Sequence, residues 1–199
     1  MPSDLQIRHS AAGQDPTDNV IPLNIPNSLT ILRIVLIPVF VGFLIYGRYT
    51  SALLTLLVAG ITDALDGTIA RLANQQTQFG AYLDPLADKL LLMSSFITLA
   101  GLELVPAWSV ILVVSRDAML LAGTLLAHLT AVRMNVDPTV LGKMTTLCQL
   151  IYVFLVVALH AWSTNLFLLE PVLYVMSGLT VASGLRYVFR GIKQLHPSP

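Results

Sequence analysis

Four aspartates stand close together in a chain otherwise poor in charge. The segment DALDGTIARLANQQTQFGAYLDPLADK, residues 63 to 89, places Asp63 and Asp66 three positions apart and Asp84 and Asp88 four apart. On helices, either spacing puts both carboxylates on one face. Carboxylates in or near a membrane core are expensive and mark a functional site. Four that converge also repel one another unless cations neutralise them. The candidate ligands are hard oxygens, with no histidine or cysteine in the segment. That set selects magnesium, manganese or calcium over zinc or copper, and four carboxylates suffice for a two-metal site. Gly67 and Ala70 share the face of Asp63 and Asp66 and leave room for a bulky ligand. Gly80 permits tight loop geometry, and Arg71 offers a fork of donors suited to a phosphate. Asp84 before Pro85 also fits a helix N-cap, but capping does not require the whole spacing.

The elements that must position these groups read as membrane helices. The chain has 199 residues, 55% of them hydrophobic and only 11% charged, and its mean hydropathy is +0.76. A soluble domain carries about 25% charged residues, so this chain lacks the polar surface to cover a water-soluble globule. Its formal net charge is zero, which gives no basic field for a nucleic-acid partner. The one cysteine, Cys148, excludes an internal disulfide. Six apolar stretches approach span length, at 29–46, from 51 to the aspartate segment, and at 86–102, 106–129, 143–160 and 166–187. The expected fold is all-α: an integral membrane protein with six transmembrane helices and a short N-terminal interfacial segment. That segment, 21–28, contains two prolines, and Asn27 or Ser28 is expected to cap the first helix. Residues 1–22 are expected to form a flexible cytoplasmic tail, 23–191 one membrane domain, and 192–199 a second tail.

Charge placement supports this division. With a cytoplasmic amino terminus, the outer loops 47–50, 103–105 and 163–165 hold a single basic residue, Arg48. The inner segments hold Arg8, Arg71, Lys89, Arg133, Lys143, Arg190 and Lys193, as the positive-inside rule expects. Tyr46, Trp108 and Trp162 fit an interfacial aromatic belt. Two basic residues fall inside spans. Arg33 either snorkels to the interface or meets substrate. Arg116 lies deep in the fourth span and needs an anionic partner. Asp117 is its neighbour, but adjacent helical side chains point about 100° apart, so the two are not expected to satisfy each other. Arg116 is therefore expected to face the aspartate-lined cavity.

The spacing Asp63-x2-Asp66-Gly67-x2-Ala70-Arg71-x8-Gly80-x3-Asp84-x3-Asp88 resembles, without exception, the signature of the CDP-alcohol phosphatidyltransferases. Pro26-Asn27-x-Leu29-Thr30-x2-Arg33-x4-Pro38 is similar to the start of that family's first helix. The resemblance implies two divalent cations, Mg2+ or Mn2+, bridging the aspartates and the diphosphate of CDP-diacylglycerol. It implies Asp63, Asp66 and Asp84 as metal ligands, with Asp88 as the general base, also touching metal. Thr30, Gly67, Ala70, Arg71 and Gly80 would line the cytidine diphosphate site. It further implies a homodimer in the cell (inner) membrane, multi-pass, with the active site facing the cytoplasm.

The second half resembles two subgroups: phosphatidylglycerophosphate synthases, which accept glycerol 3-phosphate, and cardiolipin synthases of this fold, which accept phosphatidylglycerol. Asp117 and Thr145 depart from the first subgroup, where glutamate and lysine are commoner. Either acceptor carries a phosphate that Arg116 and Lys143 would anchor. The expected function is metal-dependent phosphatidyl transfer to glycerol 3-phosphate, with phosphatidylglycerol as the alternative acceptor. A reading from another class is a cation transporter with intramembrane acids, although an ion pathway does not need Arg71 beside those acids.

Overall fold

The computed structural model describes residues 25–73, 78–129, 140–164 and 166–195; within them, the side chains of 25–27, 66–73, 78–85, 124–129 and 191–195 lie outside the description. Six long helices follow in chain order: α1 (Ile25–Ile45), α2 (Tyr49–Ala73), α3 (Gln78–Gly101), α4 (Ala107–Leu129), α5 (Val140–Ala161) and α6 (Leu169–Leu195). A 3-10 turn, Leu166–Leu168, precedes α6, and no strand occurs among the described residues. The all-α expectation holds. The expected cap at Asn27 or Ser28 does not, because α1 is already helical from Ile25. The N-cap reading of Asp84 also fails: α3 begins at Gln78, so Asp84 lies within the helix.

Three helices are long and apolar enough to cross a membrane, through Ser28–Ile45, Val140–Ala161 and Leu166–Arg190. The apolar part of α2 is shorter, Tyr49–Leu65. Among the described residues this accounts for three of the six expected spans. The helices α2, α3 and α4 carry ionised groups within their lengths, which interrupt their apolar runs. Large apolar side chains such as Val35, Leu54, Ile61, Ile97 and Ile111 are exposed on the helix surfaces. So much apolar surface facing outward is what a lipid-covered bundle presents.

The helices α1, α3 and α5 end in the same way. Gly47 accepts φ 67°, its N–H donates to the Leu44 carbonyl, and that of Arg48 donates to Phe43. Glu103 at φ 59° and Ser163 at φ 50° repeat the pattern, with Leu104 donating to Leu99 and Thr164 to Leu159. These are Schellman motifs, which satisfy the last carbonyls of a helix and turn the chain within a few residues. Only the first uses glycine, the residue without penalty at positive φ. The three turns are the loops read as outer from charge placement. Tyr46, Trp108 and Trp162 flank them, all exposed.

In the core, α1 packs on α2 and α3, α5 on α2, α3 and α6, and α4 on α3 and α6. Ala52, Leu56 and Ala59 recur at helical spacing on α2 and are buried, and the two alanines let a neighbouring helix approach closely. Phe96 of α3 stacks on Tyr152 of α5, with ring centroids 6.2 Å apart. Val153, Val156 and Val157 of α5 and Met176 of α6 are fully enclosed. This apolar packing fixes α1, α2 and α3 relative to one another, and with them the acidic faces.

Candidate active site

Asp63 on α2 and Asp88 on α3 come together through a residue of α1. Arg33 places Nη2 2.7 Å from Asp63 Oδ1, and its Nη1 donates to Asp88 Oδ1 at 2.8 Å. The first approach lacks hydrogen-bond alignment and is a charge contact; the second is an aligned hydrogen bond. The guanidinium side chain is 1% exposed, whereas the two carboxylates are 51% and 47% exposed. Arg33 therefore neither snorkels nor faces open solvent. It is the buried counter-charge that draws two acids on different helices to one point. Thr30 is buried one helical turn before it on α1.

The donor chemistry at this point fits a divalent cation. Two hard, half-exposed carboxylates from neighbouring helices already converge on a positive charge. Among the described residues no group of three or more His, Cys, Asp or Glu forms. Asp66, Gly67, Ala70 and Arg71 lie on α2, and Gly80 and Asp84 on α3. The expectations for those six concern side chains outside the described ones.

One residue along α3, a second ion cluster begins. Lys89 Nζ donates to Asp117 Oδ2 at 2.8 Å, and Arg116 Nη1 donates to Asp117 Oδ1 at 2.6 Å. Arg116 Nη2 donates to Ser183 Oγ of α6 at 3.0 Å. Asp117 is fully buried, Arg116 is 6% exposed and Lys89 22%. The expectation that Arg116 and Asp117 would not satisfy each other is thus corrected. Their Cα–Cβ bonds diverge, but the long arginine side chain folds back far enough for its tip to reach the carboxylate.

Gly184 lies against Arg116, and Gly123 of α4 has Tyr187 of α6 packed over it so closely that a Cβ there would clash. The small residues let α6 close onto α4 and bury the cluster. Lys143, the other expected acceptor residue, is exposed at the start of α5 and makes no ion pair with the cluster. Lys89, Asp117 and Ser183 were absent from the sequence-derived site. Lys89 read there as one more inner positive charge. The usable signal was Asp117, since a carboxylate deep in an apolar span must find cations.

Comparison with known proteins then places the chain. A family model described as CDP-alcohol phosphatidyltransferase matches residues 23–182. The chain belongs to the CDP-alcohol phosphatidyltransferase family. It is 38% identical to a Drosophila melanogaster "probable cardiolipin synthase (CMP-forming)", over 83% of this chain and 57% of that protein. It is 34% identical to a Bacillus subtilis "CDP-diacylglycerol--glycerol-3-phosphate 3-phosphatidyltransferase", over 88% of this chain and 98% of that protein. The human "cardiolipin synthase (CMP-forming)" is 37% identical over 66% of this chain and 49% of its own length. The chain thus spans about half the length of the animal relatives and nearly all of the Bacillus one. Family membership replaces the transporter reading.

Proposed function

We propose that this protein transfers the phosphatidyl group of CDP-diacylglycerol to the hydroxyl of a phosphate-bearing alcohol and releases CMP. The observation that carries this reading is the convergence of Asp63 and Asp88 from separate helices on Arg33. It supports a preassembled acidic centre whose members keep open oxygens. Asp88 takes the proton of the acceptor hydroxyl. The hydroxyl oxygen bonds to the phosphorus of the lipid phosphate, and the phosphorus–oxygen bond to CMP breaks, its electron pair leaving with CMP. Asp63, Asp66, Asp84 and Asp88 would hold two magnesium or manganese ions, which supply Lewis-acid stabilisation of the transferring phosphoryl group. Arg33 keeps Asp63 and Asp88 in register. Arg71, Thr30, Gly67, Ala70 and Gly80 line the donor side, and Arg116 anchors the acceptor phosphate.

Two acceptors share the required chemistry: glycerol 3-phosphate, our first reading, and phosphatidylglycerol, toward which Asp117 and Thr145 lean. The setting we propose is six spans in the cell membrane, a homodimer, and a site open to the cytoplasm. The test is CMP release by purified protein from CDP-diacylglycerol, with lipid products identified across a panel of acceptor alcohols. Absence of CMP with every acceptor would refute the reading.

A further inference from the structure

Arg33 lies within Ser28–Ile45, the most apolar of the three spanning stretches. A guanidinium there is costly, and a neutral side chain would suit the helix better. It is also almost fully buried, whereas the two carboxylates it meets are half exposed. The charges are therefore layered: the cation lies beneath, and the acids lie on the open side. Asp63 and Asp88 come from different helices, and as like charges they repel each other unless a cation stands between them. Arg33 already does this, with Nη2 at Oδ1 of Asp63 and Nη1 at Oδ1 of Asp88. Its two grips differ. The contact with Asp63 is one of charge, and that with Asp88 is an aligned hydrogen bond.

We propose that Arg33 is a resident cation of the acidic centre: it holds Asp63 and Asp88 together before any divalent ion arrives, and its charge weakens the hold of those acids on the ion. This rests on the reading of the two acids as metal ligands. The two effects of Arg33 oppose each other. Gathering the acids favours metal binding, while repulsion between the guanidinium and a dication disfavours it. Repulsion is the larger effect. It acts at contact range from a buried charge, whereas half-exposed carboxylates are gathered at little cost. An ion held in this way exchanges with the medium, and the centre stays folded when the ion leaves.

The experiment uses purified wild type, Arg33→Gln and Arg33→Lys, and none of its readouts needs turnover. Mn2+ binding is followed by loss of the free-ion electron paramagnetic resonance signal. Melting temperature is measured in excess chelator and in excess magnesium. Wild type should melt within about 4 °C in the two conditions. Arg33→Gln should melt lower than wild type by about 5 °C or more in chelator and regain most of that loss in magnesium. It should also bind Mn2+ about tenfold more tightly than wild type, since one full charge is removed at short range. Arg33→Lys keeps the charge but not the fork, and its Mn2+ affinity should stay near that of wild type. Weaker Mn2+ binding by Arg33→Gln would mean that Arg33 only gathers the acids. An equal loss of stability in both conditions would mean that it only packs. Either result overturns the proposal. Should Arg33→Gln not fold, the triple variant with Asp63→Asn and Asp88→Asn removes all three charges and should fold in chelator; failure to fold there assigns Arg33 to packing and overturns the proposal equally. Absence of Mn2+ binding by wild type and Arg33→Gln alike would remove the metal reading, and this proposal with it. Binding by wild type without a gain in Arg33→Gln overturns the proposal alone.

Discussion

Along α3, two neighbouring residues belong to ion clusters of opposite composition. At Asp88, two carboxylates share the guanidinium of Arg33, and those three side chains sum to one negative charge. At Lys89, two cations share the carboxylate of Asp117, and those three sum to one positive charge. The acidic members are half exposed, whereas Asp117 and Arg116 are buried. The first cluster draws on α1, α2 and α3, the second on α3, α4 and α6. Only α3 belongs to both. The acidic side keeps carboxylate oxygens open to the surface, whereas the basic side holds its carboxylate enclosed. On α3 they are one residue apart, so the two side chains leave the helix about 100° from each other.

Each side can be broken separately. Removal of divalent metal should abolish activity, and magnesium or manganese should restore it; full turnover in excess chelator would show that the acidic side needs no cation. Asp88→Asn should lower kcat by at least about a hundredfold in a folded protein, the lower end of what a positioned base contributes. A loss of only a few fold would take Asp88 out of that role. Arg116→Ala should raise the acceptor KM by about tenfold while leaving that for CDP-diacylglycerol nearly unchanged, as expected where a charge-assisted contact of about 1.5–3 kcal/mol is lost. Lys143→Ala, which removes no ion pair of the cluster, should change it less. Equal effects from the two would place Lys143 in the pocket beside Arg116. The smallest effect lies away from both clusters. Glu103→Gly and Ser163→Gly should each stabilise the protein by about 0.5–1 kcal/mol, because they relieve a positive φ. A fall in melting temperature would mean that these side chains make compensating contacts.

The helices were legible where apolar length announced them, and their polar ends were not. Hydropathy started the third element at Leu86, yet α3 runs from Gln78 because nothing in QFGAYLD prevents helix. Gly47 is an ordinary helix-ending glycine, whereas the equivalent turns at Glu103 and Ser163 carry no residue signature of their left-handed backbone. The acid spacing pointed to the centre directly. Its counter-charge did not emerge, since pairing Arg33 with Asp88 joins residues 55 positions apart. For Arg116 the error was geometric. The angle between neighbouring Cβ directions governs short side chains, but not the reach of a long one.

The burial of Arg33 also bears on how the protein enters its membrane. An arginine in an inserting helix is opposed by up to roughly 2.5–3.5 kcal/mol, the value at the helix centre; Arg33 lies nearer the amino-terminal end of α1, the first of the six to be made. Asp63 and Asp88, which pair with it, lie on α2 and α3, so the Arg33 charge meets the first of these carboxylates only after the ribosome has passed Asp63. Until then α1 must be sheltered at the insertion machinery or sit shallowly in the headgroup layer. The burial of Arg33 therefore ties the settling of α1 to the synthesis of α2 and α3.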